Sequence, residues 1–156
     1  MNTIGFADLC HSAAARLDRA RHEVSEGTCE FILSGVSIGL YFDPLLSDDR
    51  ILCHVDIGRL PDSGREEIYE RLLALNLLTG SKTSGVYGLD PHTDRLIFAQ
   101  QFIYPDLMDA EELALILSEY SVHARDLRQT LLDPENLVPL SDTPDSQHDQ
   151  RVSTLA

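Results

Sequence analysis

The chain has no tryptophan, a single lysine (Lys82), three cysteines and two methionines in 156 residues. Basic side chains are scarce as a group: 12 Lys and Arg stand against 26 Asp and Glu, a formal net charge of −14. Binding a polyanion requires clustered Lys and Arg to displace its counterions, so nucleic acid and anionic membrane surfaces are excluded as partners. No apolar run approaches the ~20 residues that span a bilayer, so no membrane insertion is expected. The opening MNTIGFADLCHSAAARLDRA lacks a basic leading region, and Asp8 interrupts what would be its apolar stretch. It does not read as a secretory signal. Asn2, rather than glycine, follows Met1, which excludes N-myristoylation. Cys10, Cys29 and Cys53 are odd in number and widely spaced, which suits buried thiols in a reducing cytosol better than a disulfide framework. A cytoplasmic protein is expected.

What is present is an ordinary globular composition, 43% hydrophobic and 24% charged, at a length suited to one domain. Composition changes after Leu132. Residues 133–156 carry five acids against one arginine, and Pro134, Pro139 and Pro144 forbid a continuous helix. The expected organisation is a folded body over 1–132 and an acidic, proline-containing tail over 133–156, mobile or loosely docked. Leu137, Val138 and Leu140 could lie back on the body as a short extended piece.

Within the body, Phe6, Leu9, Cys10, Ala13 and Leu17 recur on one face of a helix, with Asn2 or Thr3 as its cap. Glu26-Gly27 breaks that rhythm, and alternation takes over. Cys29, Phe31 and Leu33 point one way, then Val36, Ile38, Leu40 and Phe42, then Ile51, Cys53, Val55 and Ile57. Short connections make these three strands an antiparallel meander. Ser63 and Glu66 form a capping box ahead of a helix over about 64–78. That helix carries two apolar stripes, Ile68/Leu72/Leu75 and Tyr69/Leu73/Leu77. One stripe covers the sheet; the second needs another partner, either a symmetric copy of the chain or further core. A short strand near Gly85–Leu89, a turn at 90–95 and a strand from Leu96 to Tyr104 follow. Asp109 and Glu112 then cap a helix whose face is Leu113, Ile116, Leu117, Tyr120, Ala124, Leu127 and Leu131. The predicted order is α-β-β-β-α-β-β-α, an α+β fold with helices packed on a twisted antiparallel sheet.

No residue pattern specifies an active site. Histidines at 11, 22, 54, 92, 123 and 148 include no pair at the spacing of a helical zinc site, and adjacent Cys53 and His54 face opposite sides of a strand. No metal is therefore expected. TGSKTSG lacks the frame of a phosphate-binding loop and precedes a strand. The turn from Asp90 to Asp94 lacks the glycine and closing glutamate of a calcium loop, Gln101 standing in the glutamate's place. No nucleophile elbow occurs. The reading is no enzyme, no cofactor, and a function in binding; His54 and His123 read as polar surface or hydrogen-bonded partners.

Three segments taken together are informative. They are Cys29–Leu33 with the hairpin to Leu40 and the run Asp56-Ile57-Gly58-Arg59-Leu60-Pro61; Leu72-Leu73-Ala74-Leu75-Asn76-Leu77-Leu78; and Gly85-Val86-Tyr87-Gly88-Leu89-Asp90-Pro91, continuing to Asp94-Arg95-Leu96. In this order the chain resembles the class I type III secretion chaperones of the Tir chaperone (CesT-like) family over about residues 4–132. That family's leucine-rich central helix with an asparagine and its G-x-x-G-L-D-P hairpin are both matched. A tryptophan common late in the family's last helix is replaced here by Leu127.

The resemblance implies a homodimer in the bacterial cytosol. It would hold the N-terminal segment of a secreted effector in extended form, with the secretion system's export ATPase as a further partner. It implies effector binding by Phe6, Leu9, Phe31, Ile32, Leu33, Ile38 and Leu40, with Ile32 the one expected to face outward and the rest divided between groove and core. It implies a dimer interface from Tyr69, Leu73, Asn76, Leu77, Val86 and Tyr87. An alternative keeps the fold but has it sequester a transcriptional regulator of the secretion system.

Overall fold

Asn2 opens the first helix: its side-chain oxygen accepts the Gly5 amide at 2.8 Å, and α1 runs Thr3–Ala14. The computed structural model describes residues 1–45, 49–79, 85–103 and 105–133. The expected tail therefore lies outside the described residues from 134 onward, as does most of the polar link at 79–83. Phe6, Cys10 and Ala13 point from α1 into the core. Leu17, expected to extend this face, falls beyond the helix end, where the chain turns through Arg19 at φ 58°.

The next element corrects the expected order. Arg21–Ser25 is a strand, β1, with only Val24 half-buried. A strand without a covered face shows no apolar alternation, which is why periodicity misses it. The Glu26-Gly27 break is its two-residue turn into β2, Thr28–Leu33. Gly27 sits at φ 69°, and a Cβ there would stand 2.5 Å from the Phe42 carbonyl oxygen, so only glycine fits. β3 (Val36–Tyr41), β4 (Arg50–Arg59), α2 (Arg65–Thr79), β5 (Val86–Asp90), β6 (Arg95–Ile103), a short 3₁₀ turn at Pro105–Leu107 and α3 (Ala110–Leu131) complete the chain. The helix α2 starts at Arg65 after Gly64 (φ 73°), one residue later than a cap at Ser63 requires.

All six strands pair antiparallel in the spatial order β1-β2-β3-β4-β6-β5. The fold is α+β as expected, with one strand more. The inward residues of β2, β3, β4 and β6 form a single apolar face that α1 and α3 cover through Phe6, Cys10, Leu113, Leu117, Ala124 and Leu131. Each fully buried Phe or Ile there contributes about 1.5–3 kcal/mol. Asp109 holds the start of α3, accepting the amides of Glu111 and Glu112 at 2.9 and 2.8 Å. Near its other end Arg128 donates to the carbonyls of Ile57 (2.6 Å), Asp56 (3.3 Å) and Gly35 (3.4 Å). Those groups surround a bulge in β4 at Asp56/Gly58, so the irregular backbone is tied down by α3. The second helix lies apart, against β5 at one end of the sheet.

Candidate partner-binding surfaces

The sheet has two ends, β1 and β5, and one face that the helices leave open. On that face small residues Gly39, Gly88 and Ala99 floor a groove of about 810 Å³. Gly39 leaves room for the Tyr41 ring: a Cβ would stand 2.6 Å from its hydroxyl, so the ring would have to move aside. Glu23, Glu30, Asp56 and Asp90 line the groove together with Arg95. Arg95 is engaged, donating to Asp56 Oδ2 from Nε (2.8 Å) and Nη2 (2.5 Å). Glu30 accepts from Ser37 at 2.6 Å. His54 lies beside the Tyr41 ring, 5.2 Å between centroids, and burial lowers its pKa, favouring the neutral ring. The groove thus combines an acidic rim with apolar lining from Tyr41, Val86, Leu89 and Ile97.

At the β5 end the two stripes of α2 separate. Ile68, Leu72 and Leu75 turn inward, whereas Leu73 and Leu77 are 71% and 80% exposed, with Tyr69 and Val86 exposed nearby in the sequence of the same two elements. Asn76 turns to the edge strand: its Nδ2 donates to the Tyr87 carbonyl at 3.0 Å and its Oδ1 accepts the Tyr87 amide at 2.7 Å. β5 is a terminal strand, so a side-chain amide occupies backbone groups that a further strand would need. The Tyr87 side chain is buried, contrary to its expected place in an interface. It packs on Phe98 at 4.9 Å and its hydroxyl lies 2.7 Å from His123 Nε2. Burial raises its pKa.

The β1 end is different. Its residues are mostly exposed, and among the described residues no strand lies beyond it. The residues expected to bind an effector divide sharply by burial. Phe6, Phe31, Ile38 and Leu40 are wholly buried, Leu33 nearly so, and these five belong to the core under α1 and α3. Leu9 is half-buried, and Ile32, expected to face outward, is 36% exposed. The structure also joins His11 and His22, which sequence spacing kept apart: Nδ1 of the first is 3.0 Å from Nε2 of the second. The three thiols are buried and free. Contact with Cys29 and burial push the Cys10 pKa up, and burial alone takes that of Cys53 up to about 12.

An apolar helix face, an open strand edge and an acidic groove on one small sheet are surfaces for holding other polypeptides. The sequence profile of the Tir chaperone protein (CesT) family matches residues 11–128, and the chain belongs to that family. It is a chaperone of the type III secretion class. Among solved structures, the ExsC–ExsE complex contains a chain with a TM-score of 0.68 and 17% identity, the match covering 86% of this chain and 99% of that one. The HopA1–SchA chaperone–effector complex gives 0.63 and 17%, over 81% and 95% of the two chains. The ExoT–SpcS complex from Pseudomonas aeruginosa gives 0.53 and 16%, over 81% and 98%. At these identities the likeness is one of fold. No curated protein matches the sequence significantly. Among the described residues no helix is long and apolar enough to cross a membrane.

Proposed function

We propose that the chain acts in the bacterial cytosol as a homodimer that holds the N-terminal segment of a cognate secreted effector in extended form. The observation that carries this reading is the inequality of the two sheet ends. The β5 edge is closed at Tyr87 by Asn76, and beside it stands an apolar stripe that no described residue covers. The β1 edge is open and borders the groove at Glu23 and Glu30. An extended client adds a strand at β1 and presents alternate side chains to the groove, where its basic residues meet the acidic lining. Ile32 and Leu9 are the expected residues left accessible for that contact; the buried five shape the strands that carry it. Tyr69, Leu73, Leu77 and Val86 supply the dimer contact, with Asn76 holding β5 in place behind them. The chaperone–effector pairing in the HopA1–SchA structure supports the client class. Transfer of the client to the export ATPase belongs to the same reading.

The test is twofold. Light scattering on the purified chain should give the mass of two 17.4 kDa subunits. Tagged protein recovered from its host's cytosol should retain an effector, and should lose it when that effector's N-terminal segment is deleted. A monomer overturns the dimer, and retention of the truncated effector overturns the client mode. A DNA-binding regulator recovered in place of an effector would favour sequestration.

A further inference from the structure

The contact between His11 and His22 is not accounted for by chaperone function. His11 is near the end of α1 and His22 is on the edge strand β1, and both are exposed. Their rings meet edge to face, 5.2 Å between centroids at 76°. His22 also lies flat over Phe31, 6.1 Å away at 23°, and Phe31 is wholly buried. One ring of the pair is therefore seated on a rigid support.

Two neutral imidazoles in this arrangement share one proton between the facing nitrogens. Moving that proton to the outer nitrogen of the same ring leaves both rings neutral and frees a lone pair on each facing nitrogen. Ligand nitrogens about 2.0–2.1 Å from a metal stand about 2.9 Å apart at a right angle and about 3.3 Å apart at the tetrahedral angle. The observed separation of 3.0 Å lies within that range, so rotation of the two exposed rings, without movement of either element, is enough to aim both nitrogens at one ion. We propose that His11 Nδ1 and His22 Nε2 form a binding site for a divalent transition cation, clipping the edge strand β1 to α1. Imidazole pairs select zinc, copper or nickel; calcium and magnesium, which prefer oxygen, are poorly served. Among the described residues no group of three or more His, Cys, Asp or Glu could hold a metal, so water fills the other positions. The site is open and exchangeable, unlike a structural zinc centre. The buried thiols do not compete for the cation. The consequence is local: β1 is the most exposed strand, and a cation joining it to α1 stabilises the folded edge by mass action. This inference does not depend on what the client is.

Zn(II) titrated into the full chain, followed by calorimetry and by imidazole NMR, tests it. One equivalent should bind, with the ring signals of His11 and His22 shifting together and those of His54 and His123 unmoved. His11→Ala and His22→Ala should each weaken binding at least tenfold, and His92→Ala should leave it unchanged. Both substituted rings are exposed, and circular dichroism without metal checks that the fold persists. Equal Zn(II) affinity in the wild type and His22→Ala, or equal shifts at all histidines, would overturn the site.

Discussion

The two ends of this sheet are built by opposite means. At β5 the chain spends a helix and a side-chain amide on one short strand: Asn76 takes both backbone groups of Tyr87, and the Tyr87 ring is fixed between Phe98 and His123. At β1 the strand has five residues, little burial and, among the described residues, β2 as its one lateral neighbour. A terminal strand is a standing template for another chain, and proteins block those they do not use. One end here is blocked against a further strand and left apolar on its helix. The other is left open and polar. The proposed contact with a like copy and the proposed contact with an extended client thus fall at separate places.

The largest expected effect sits beneath the open end. Phe31 supports His22 and fills the core under β1, so Phe31→Ala should cost about 3–5 kcal/mol in chemical denaturation. A stable variant that had merely lost client binding would return Phe31 to the groove. Next is the apolar end. Leu77→Asp places a charge on the exposed stripe, and the dimer should weaken by about 2–4 kcal/mol in sedimentation while the monomer's melting temperature holds. An unchanged dimer would move the interface elsewhere. Asn76→Ala should cost about 1–3 kcal/mol, because it strips the Tyr87 amide and carbonyl of their partners. Hydrogen exchange at the Tyr87 amide should accelerate; slow exchange in the variant would mean that some other group closes the edge.

The smallest effect concerns pH. Burial lowers the pKa of His54 below its ordinary 6.5, so the unfolded chain binds a proton more readily than the folded one. Its contribution therefore favours folding above pH 6.5 and is lost as the pH falls from there toward the depressed folded value. In His54→Gln the acid-side decline in stability should be shallower. An identical pH profile would show that the groove around Tyr41 and His54 is fully hydrated.

Much of this fold is legible before any coordinates. The inward sets of β2, β3 and β4, the face of α3 and the cap at Asp109 follow from spacing alone, and of the two caps open for α1, Asn2 and Thr3, the structure uses Asn2. β1 is not legible, because exposed residues alternate with exposed residues. The two stripes of α2 can be read, but not which one faces inward. The expected effector-binding residues were divided between groove and core, and burial places Phe6, Phe31, Leu33, Ile38 and Leu40 in the core. Alternation in β2 and β3 separates two faces and does not say that the apolar one is already covered by α1 and α3. Of the strand residues in that set, Ile32, from the opposite face, escapes burial, as does half-buried Leu9 on α1.

By itself the sequence determined the α+β class, the acidic surface and the surplus apolar stripe, since composition and periodicity are properties of neighbours along a chain. The tertiary structure decided which sheet end is closed, that Tyr87 turns inward, and that His11 meets His22 across a helix and a strand. Those depend on strand order and register, which bring together groups that the covalent chain does not.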